Sequence, residues 1–300
     1  MKKLIIVLLC IGYSSTNFAC ELCGCNSGNY FLGAMPQFNK YFFGLRYSYR
    51  GSNTVLNNTD GTQFSRDTYQ TTELWGGFKI RRKFQVLAFV PFNKNYSVTD
   101  DGIIKNMGLG DITLMGSYNL FNNLTLSKDS QTVSQQLWVG GGAKLPTGMF
   151  KIDPTSLIES ANRQLGTGSV DFLLTAVYTM QVAKWGVNGS LTYKINQAAS
   201  GFQYGNRIAA TAFISHSFRC KRSSFGPSVG LLFEDLSPNQ LYKTNVPSTG
   251  GYDLLASAGL ETRFNKVMVG FNAQYPIVQN ISDGQTKINL RGMLHVTYAF

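Results

Sequence analysis

The chain has 300 residues, of which 14% are charged and 13% aromatic, with 31 glycines and a formal charge of +11. Past residue 19 no apolar run approaches the roughly 18 residues that a membrane-spanning helix needs, which excludes a helical membrane protein. Glycine, Asn, Ser and Thr are abundant, as in short strands joined by polar turns, and with no basic run in an exported chain nucleic acid is excluded as a partner.

The first nineteen residues, MKKLIIVLLCIGYSSTNFA, place two lysines before an apolar run and end in Ala19. This is the pattern of a secretory signal peptide over residues 1–19. Removing Lys2 and Lys3 lowers the charge from +11 to about +9, which suits an anionic lipid or polysaccharide environment, or a lumen that attracts anions. Directly after the expected cut comes Cys20-Glu21-Leu22-Cys23-Gly24-Cys25. Residues 20–40 are read as a periplasmic Cys-rich segment. In an oxidising compartment its thiols have three expected fates. A disulfide, most simply Cys20 to Cys23, is one. A thiolate site for Cu(I) or Zn(II) is the second, since C-x2-C-x-C lets a flexible loop converge several sulfurs on one ion. Acylation of Cys20 is the third, although Asn17 and Phe18 stand where a lipoprotein has a branched aliphatic and a small residue. Cys220, in Phe218-Arg219-Cys220-Lys221-Arg222, is expected on the same side of the membrane as a fourth ligand or disulfide partner. Haem attachment is rejected because Gly24, not His, follows Cys23.

From residue 41 onward, period-two alternation predicts about twelve strands: 41–50, 71–80, 84–93, 110–121, 135–146, 169–181, 184–195, 205–218, 225–236, 252–264, 266–277 and 287–300. Their connections alternate in length. Short links fall around 81–83, 182–183, 219–224 and 265; long polar links fall at 51–70, 95–109, 147–168, 237–251 and 278–287. The link 122–134 is expected as a short turn yet is about a dozen residues long. Short turns on one side and long loops on the other predict an all-β transmembrane antiparallel β-barrel of outer-membrane type over residues 41–300.

Side-chain parity tests this independently, because a Lys or Arg facing lipid at mid-depth costs about 2–4 kcal/mol. Phe43, Leu45, Tyr47 and Tyr49 alternate with Gly44, Arg46, Ser48 and Arg50; Leu254, Ala256, Ala258 and Leu260 alternate with Leu255, Ser257, Gly259 and Glu261. At the end of the chain Ile288, Leu290, Leu294, Val296, Tyr298 and Phe300 share one parity. That ending resembles the signal read by the barrel assembly machinery, a partner expected alongside outer-membrane lipid and small solutes. The outer membrane of a Gram-negative bacterium is the expected location.

Three short motifs carry a family resemblance: Gly108-Leu109-Gly110-Asp111, Lys144-Leu145-Pro146-Thr147-Gly148 and Gly166-Thr167-Gly168-Ser169-Val170-Asp171-Phe172. Over about residues 70–300 the chain resembles the outer-membrane transporter family named after the MetA pathway of phenol degradation. The resemblance implies a twelve-stranded-type barrel with a role in moving small molecules; the Cys-rich segment is not part of that pattern. Physically, Pro146 and Gly148 suit a strand end.

The charges on the interior parity are Arg46, Arg50, Glu73, Lys79, Asp111, Lys144, Asp171, Lys194, Arg207, Glu234, Glu261, Arg263 and Arg291, eight cations against five anions. They are expected to pair across adjacent strands, Lys144 with Asp171 among them. Catalysis is not expected. His216 falls on the lipid-facing parity, and His295, facing the lumen, has no recognisable Ser and carboxylate beside it. The functional expectation is passive movement of small solutes through a channel or transporter-like barrel, with metal handling at the cysteines as an addition. Its rival is a non-transporting barrel that scaffolds, senses or binds metal.

Overall fold

The computed structural model describes residues 41–300 except 59–60, 82, 101, 127–131, 153–160 and 221–222. Along the chain the strands are β1 (Tyr41–Asn58), β2 (Gly61–Ile80), β3 (Phe84–Thr99), β4 (Gly102–Leu109), β5 (Thr113–Leu126), β6 (Thr132–Lys144), β7 (Asp171–Val182) and β8 (Trp185–Ile195). Then come β9 (Ala198–Ala199), β10 (Phe202–Gln203), β11 (Arg207–His216), β12 (Phe218–Cys220), β13 (Ser223–Leu236), β14 (Gln240–Leu241), β15 (Thr244–Asn245), β16 (Gly251–Phe264), β17 (Val267–Ile281) and β18 (Thr286–Ala299). Each long strand pairs antiparallel with its chain neighbour, β11 pairs β13, and β1 pairs β18, so the sheet closes on itself. β4 and β5 share one position beside β3, and β12 continues β11, giving a barrel of twelve strands. Closure satisfies the backbone polar groups between strands, which is what lets strands cross lipid.

The outward parity is apolar. On β3 the outward residues Phe84, Val86, Ala88, Val90 and Phe92 occupy nine positions before Lys94, the first outward charge. Nine to eleven tilted residues span a bilayer, so the apolar belt ends near Phe92. At the end with the short turns, aromatic rings face outward in contact across strands: Tyr41 with Phe78 at 6.5 Å, Phe84 with Tyr118 at 4.8 Å and Phe225 with Phe264 at 6.2 Å. Such a girdle marks the membrane–water boundary, and the short turns mark it as periplasmic.

Two expected features are corrected. The link 122–134 is mostly strand, because β5 runs to Leu126 and β6 starts at Thr132. The links 51–70, 95–109 and 278–287 are largely continuations of strands, with Asn58 paired to Gly61 and Thr99 to Gly102. These stretches stand above the lipid, where both faces meet water or the polar lumen, so hydrophobic alternation disappears while backbone pairing persists. The result is a lopsided rim. β1 to β4 rise high on one side, while β6, β7, β8 and β11 stop at the level of Lys144, Asp171 and Arg207.

The low side is roofed by the segments 145–152, 161–170, 196–206 and 237–250. They carry a four-stranded sheet of β9, β10, β14 and β15 and a small core of Ala161, Phe202, Tyr204 and Val246.

Candidate functional site

From the periplasmic end the lumen opens as a chamber of about 1200 Å³. Its wall is rich in hydroxyls and amides, among them Ser134, Gln136, Thr179, Asn188 and Ser215, and it carries the cations Lys79, Arg219 and Arg263 and the carboxylate of Glu261. Lys79 lies 5.3 Å from the centre of the Trp138 ring. Arg263 is exposed at the mouth.

Inward-facing apolar residues border the chamber. Phe42, Trp75, Leu87, Phe89, Met115, Leu173, Val177 and Met268 form one buried cluster inside the barrel, called the septum below, and its Val177 and Met268 line the chamber. Trp75 meets Phe42 edge-on at 5.1 Å and stacks on Phe89 at 6.2 Å. Small residues opposite make the room: a Cβ on Gly44, paired with Trp75, would lie 2.8 Å from the Trp75 Nε1.

Charged layers lie on the extracellular side of the septum. Arg46 donates to Glu73 directly opposite on β2, and its guanidinium lies over the rings of Trp75 and Phe89, 5.4 and 5.6 Å from their centres. A second group joins Arg207 and Arg291 to Glu234, at 2.7 and 2.5 Å, and Arg291 to Asp253 at 2.6 Å. Arg50 lies over the ring of Tyr69 at 4.8 Å. The third group centres on Lys144, wholly buried, with Asp111 at 2.5 Å and Asp171 at 2.7 Å; Lys194 lies 3.7 Å from Asp171. Asp111 also accepts from the backbone of Gly148 and Thr167, and Asp171 from that of Gln197. The glycine-rich motifs thus meet at one buried ion cluster, which fastens the roof to the barrel.

The expected pairing across adjacent strands describes Arg46 with Glu73, Lys144 with Asp171 and Arg207 with Glu234. It does not describe Arg291, which reaches from β18 to β13 and β16. His295 likewise passes over β17 to bond Glu261 at 2.8 Å, through the space left by Gly270, where a Cβ would lie 2.1 Å from the His295 Nε2. Thr297 lies 3.4 Å from the other ring nitrogen. Thr297 is wholly buried. His216 contacts Trp185 and Phe218 on the outer wall.

Sequence reasoning missed Asp253 and the septum. Asp253 sits two residues before Leu255 on the interior parity, so the same rule contained it. The septum also had a signal: Trp75, Leu87 and Phe89 are large apolar residues on a parity that is otherwise polar.

Cys220 is exposed at the end of β12, on the periplasmic side. Cys20, Cys23 and Cys25, with the leader 1–19 and the segment 20–40, lie outside the described residues. Among the described residues no three His, Cys, Asp or Glu side chains group as a metal site.

No protein-family model and no curated protein matches the chain. Among solved structures, an outer-membrane channel from Pseudomonas putida F1 is similar with a TM-score of 0.63 at 14% identity, covering 96% of this chain and all of that one. The β domain of the Bordetella autotransporter Brka (0.48, 10% identity, 87% and 100% coverage) and the monoaromatic hydrocarbon channel CymD (0.43, 9%, 95% and 95%) are too distant in shape to carry an argument. The likeness to the Pseudomonas channel is one of fold, and with the apolar belt and aromatic girdle it makes this chain a twelve-stranded β-barrel of the outer membrane.

Proposed function

We propose that this barrel is a gated channel through which small, weakly polar solutes cross the outer membrane, with the periplasmic chamber as vestibule and the septum as gate. One observation carries the reading: a water-accessible chamber of about 1200 Å³ is bordered by a cluster of aromatic and aliphatic side chains. An apolar constriction opposes ions by dewetting, whereas an apolar or aromatic solute exchanges water contacts for ring contacts at the same place. The resemblance of the Gly-rich motifs to a transporter family of phenol degradation supports the same class of cargo. In this reading residues 1–19 direct export and 20–40 are a periplasmic attachment.

The roof favours a second reading, a non-transporting scaffold, because its own core and the buried Lys144 cluster hold it shut. Reconstitution separates the two. The channel reading expects little ionic current in planar bilayers but uptake of small phenolic solutes into liposomes well above protein-free controls. A folded barrel silent to both ions and phenols refutes it and favours the scaffold; large ionic steps in the wild type refute the septum as gate.

A further inference from the structure

The high side of the barrel carries four outward cations immediately above the apolar belt: Arg66 on β2, Lys94 on β3, Lys105 on β4 and Lys287 on β18, all exposed. The register places them. Tyr47, Thr72, Phe92 and Leu109 form the outward row that tops the belt. One row higher Lys94 stands between Gln70 and Met107; the next sets Tyr96 opposite Lys105; the one above aligns Lys287, Asn53, Arg66 and Val98. With strands about 4.8 Å apart and about 3.4 Å per residue along them, the four charges fall within a patch roughly 20 Å across.

Two features separate this patch from ordinary surface charge. None of the four cations forms an ion pair among the described residues, and the ammonium groups of Lys94 and Lys105 lie over one ring, that of Tyr96, at 5.3 and 5.8 Å. Among the described residues the nearby carboxylates are engaged or placed elsewhere: Asp67 faces inward, bonded by Ser65 and Ser97, Asp100 accepts from the backbone of Phe64, and Asp283 lies in the turn before Lys287. The other side of the barrel offers no counterpart. Its equivalent outward row is Tyr193, Ile208, Asp235 and Tyr252, with one acid and no cation.

We infer that the outward face formed by β2, β3, β4 and β18 is a docking site for the phosphate groups of the glycolipid in the outer leaflet. The height is that of lipid headgroups, the acyl chains would lie against Phe92 and Leu109, and Tyr96 holds two ammonium groups in place for charge-assisted bonds to phosphate oxygens. The inference is independent of transport.

The test is native mass spectrometry of the full-length barrel in detergent, titrated with bisphosphorylated lipid A, the same lipid with its phosphates removed, and phosphatidylglycerol. The folded state is checked by the shift in gel mobility on heating. Wild type is expected to prefer bisphosphorylated lipid A over both other lipids. Lys94→Gln with Lys105→Gln should weaken that binding roughly tenfold or more, whereas Lys266→Gln at the periplasmic turn should leave it unchanged. Equal binding of the phosphate-free lipid, equal binding of phosphatidylglycerol, or an unaffected double variant would each overturn the assignment.

Discussion

Replacing Lys144 by Met removes the positive centre of a buried cluster while keeping side-chain volume. The ammonium is fully enclosed between Asp111, at 2.5 Å, and Asp171, at 2.7 Å, and it also donates to the Thr167 hydroxyl. Breaking a buried ion pair by deleting one partner typically costs 3–5 kcal/mol, because the other charge stays buried without compensation. Here the abandoned carboxylates keep other donors: Asp111 has two backbone N–H groups, and Asp171 has the Ser169 hydroxyl, the Gln197 N–H and, at 3.7 Å, Lys194. That places the expected cost near the low end, about 3 kcal/mol. Adding Asp171→Asn removes one stranded charge, so the double variant should recover a coupling energy of at least about 1 kcal/mol. Urea unfolding in lipid vesicles, read by gel mobility, measures both quantities. Because Asp111 holds Gly148 and Thr167, limited proteolysis should also cut the segment 145–170 faster in the single variant. A loss below about 1 kcal/mol with unchanged proteolysis would show that the cluster does not fasten the roof.

Trp75→Ala with Phe89→Ala should convert a poorly conducting barrel into one with clear ionic steps in planar bilayers, since the two rings form the stacked centre of the septum; unchanged current would locate the barrier elsewhere. Gly270→Leu forces atoms into the space between His295 and Glu261 and should cost about 1–3 kcal/mol in the same unfolding assay; no loss would show that the strand yields freely there. Arg46→Met leaves Glu73 buried without its partner and removes the guanidinium from two rings, so a loss of about 3 kcal/mol is expected, again from urea unfolding. Phe300→Ala removes a ring 5.7 Å from Phe43 and 5.2 Å from Tyr298; the heat-modifiable fraction recovered from membranes should fall, and an unchanged fraction would remove the terminal ring from the assembly signal.

The barrel was legible in the sequence because lipid imposes one rule on every strand. Leu45, Leu254 and Leu294 must face out and Arg46 and Glu261 in, so parity alone reports architecture. That rule stops at Lys94. Above it the stretches 53–58 and 102–106 are held by backbone pairing that leaves no hydrophobic period, and they read as loops. The ion clusters were half visible: Lys144 and Asp171 face each other on neighbouring strands, a distance that parity limits tightly. Arg291 with Asp253 needs the curvature of the closed wall, which no local pattern encodes. The septum was hidden differently, since a Trp on a strand carries the same composition signal whether it faces lipid or lumen.

The seam between β1 and β18 joins residues separated by about 240 positions, whereas the other neighbouring long strands follow one another closely along the chain. Hairpins can therefore form as local events, but the seam carries a loop-closure cost of about 5 kcal/mol that is met only once. Until it forms, two strand edges expose unpaired N–H and C=O groups, a state that the hydrocarbon core does not tolerate. Insertion and circularisation must then proceed together. A lesion that weakens Tyr41–Asn58 or Thr286–Ala299 acts on the whole ring, leaving a curled sheet with two adhesive margins rather than a barrel with one loose strand.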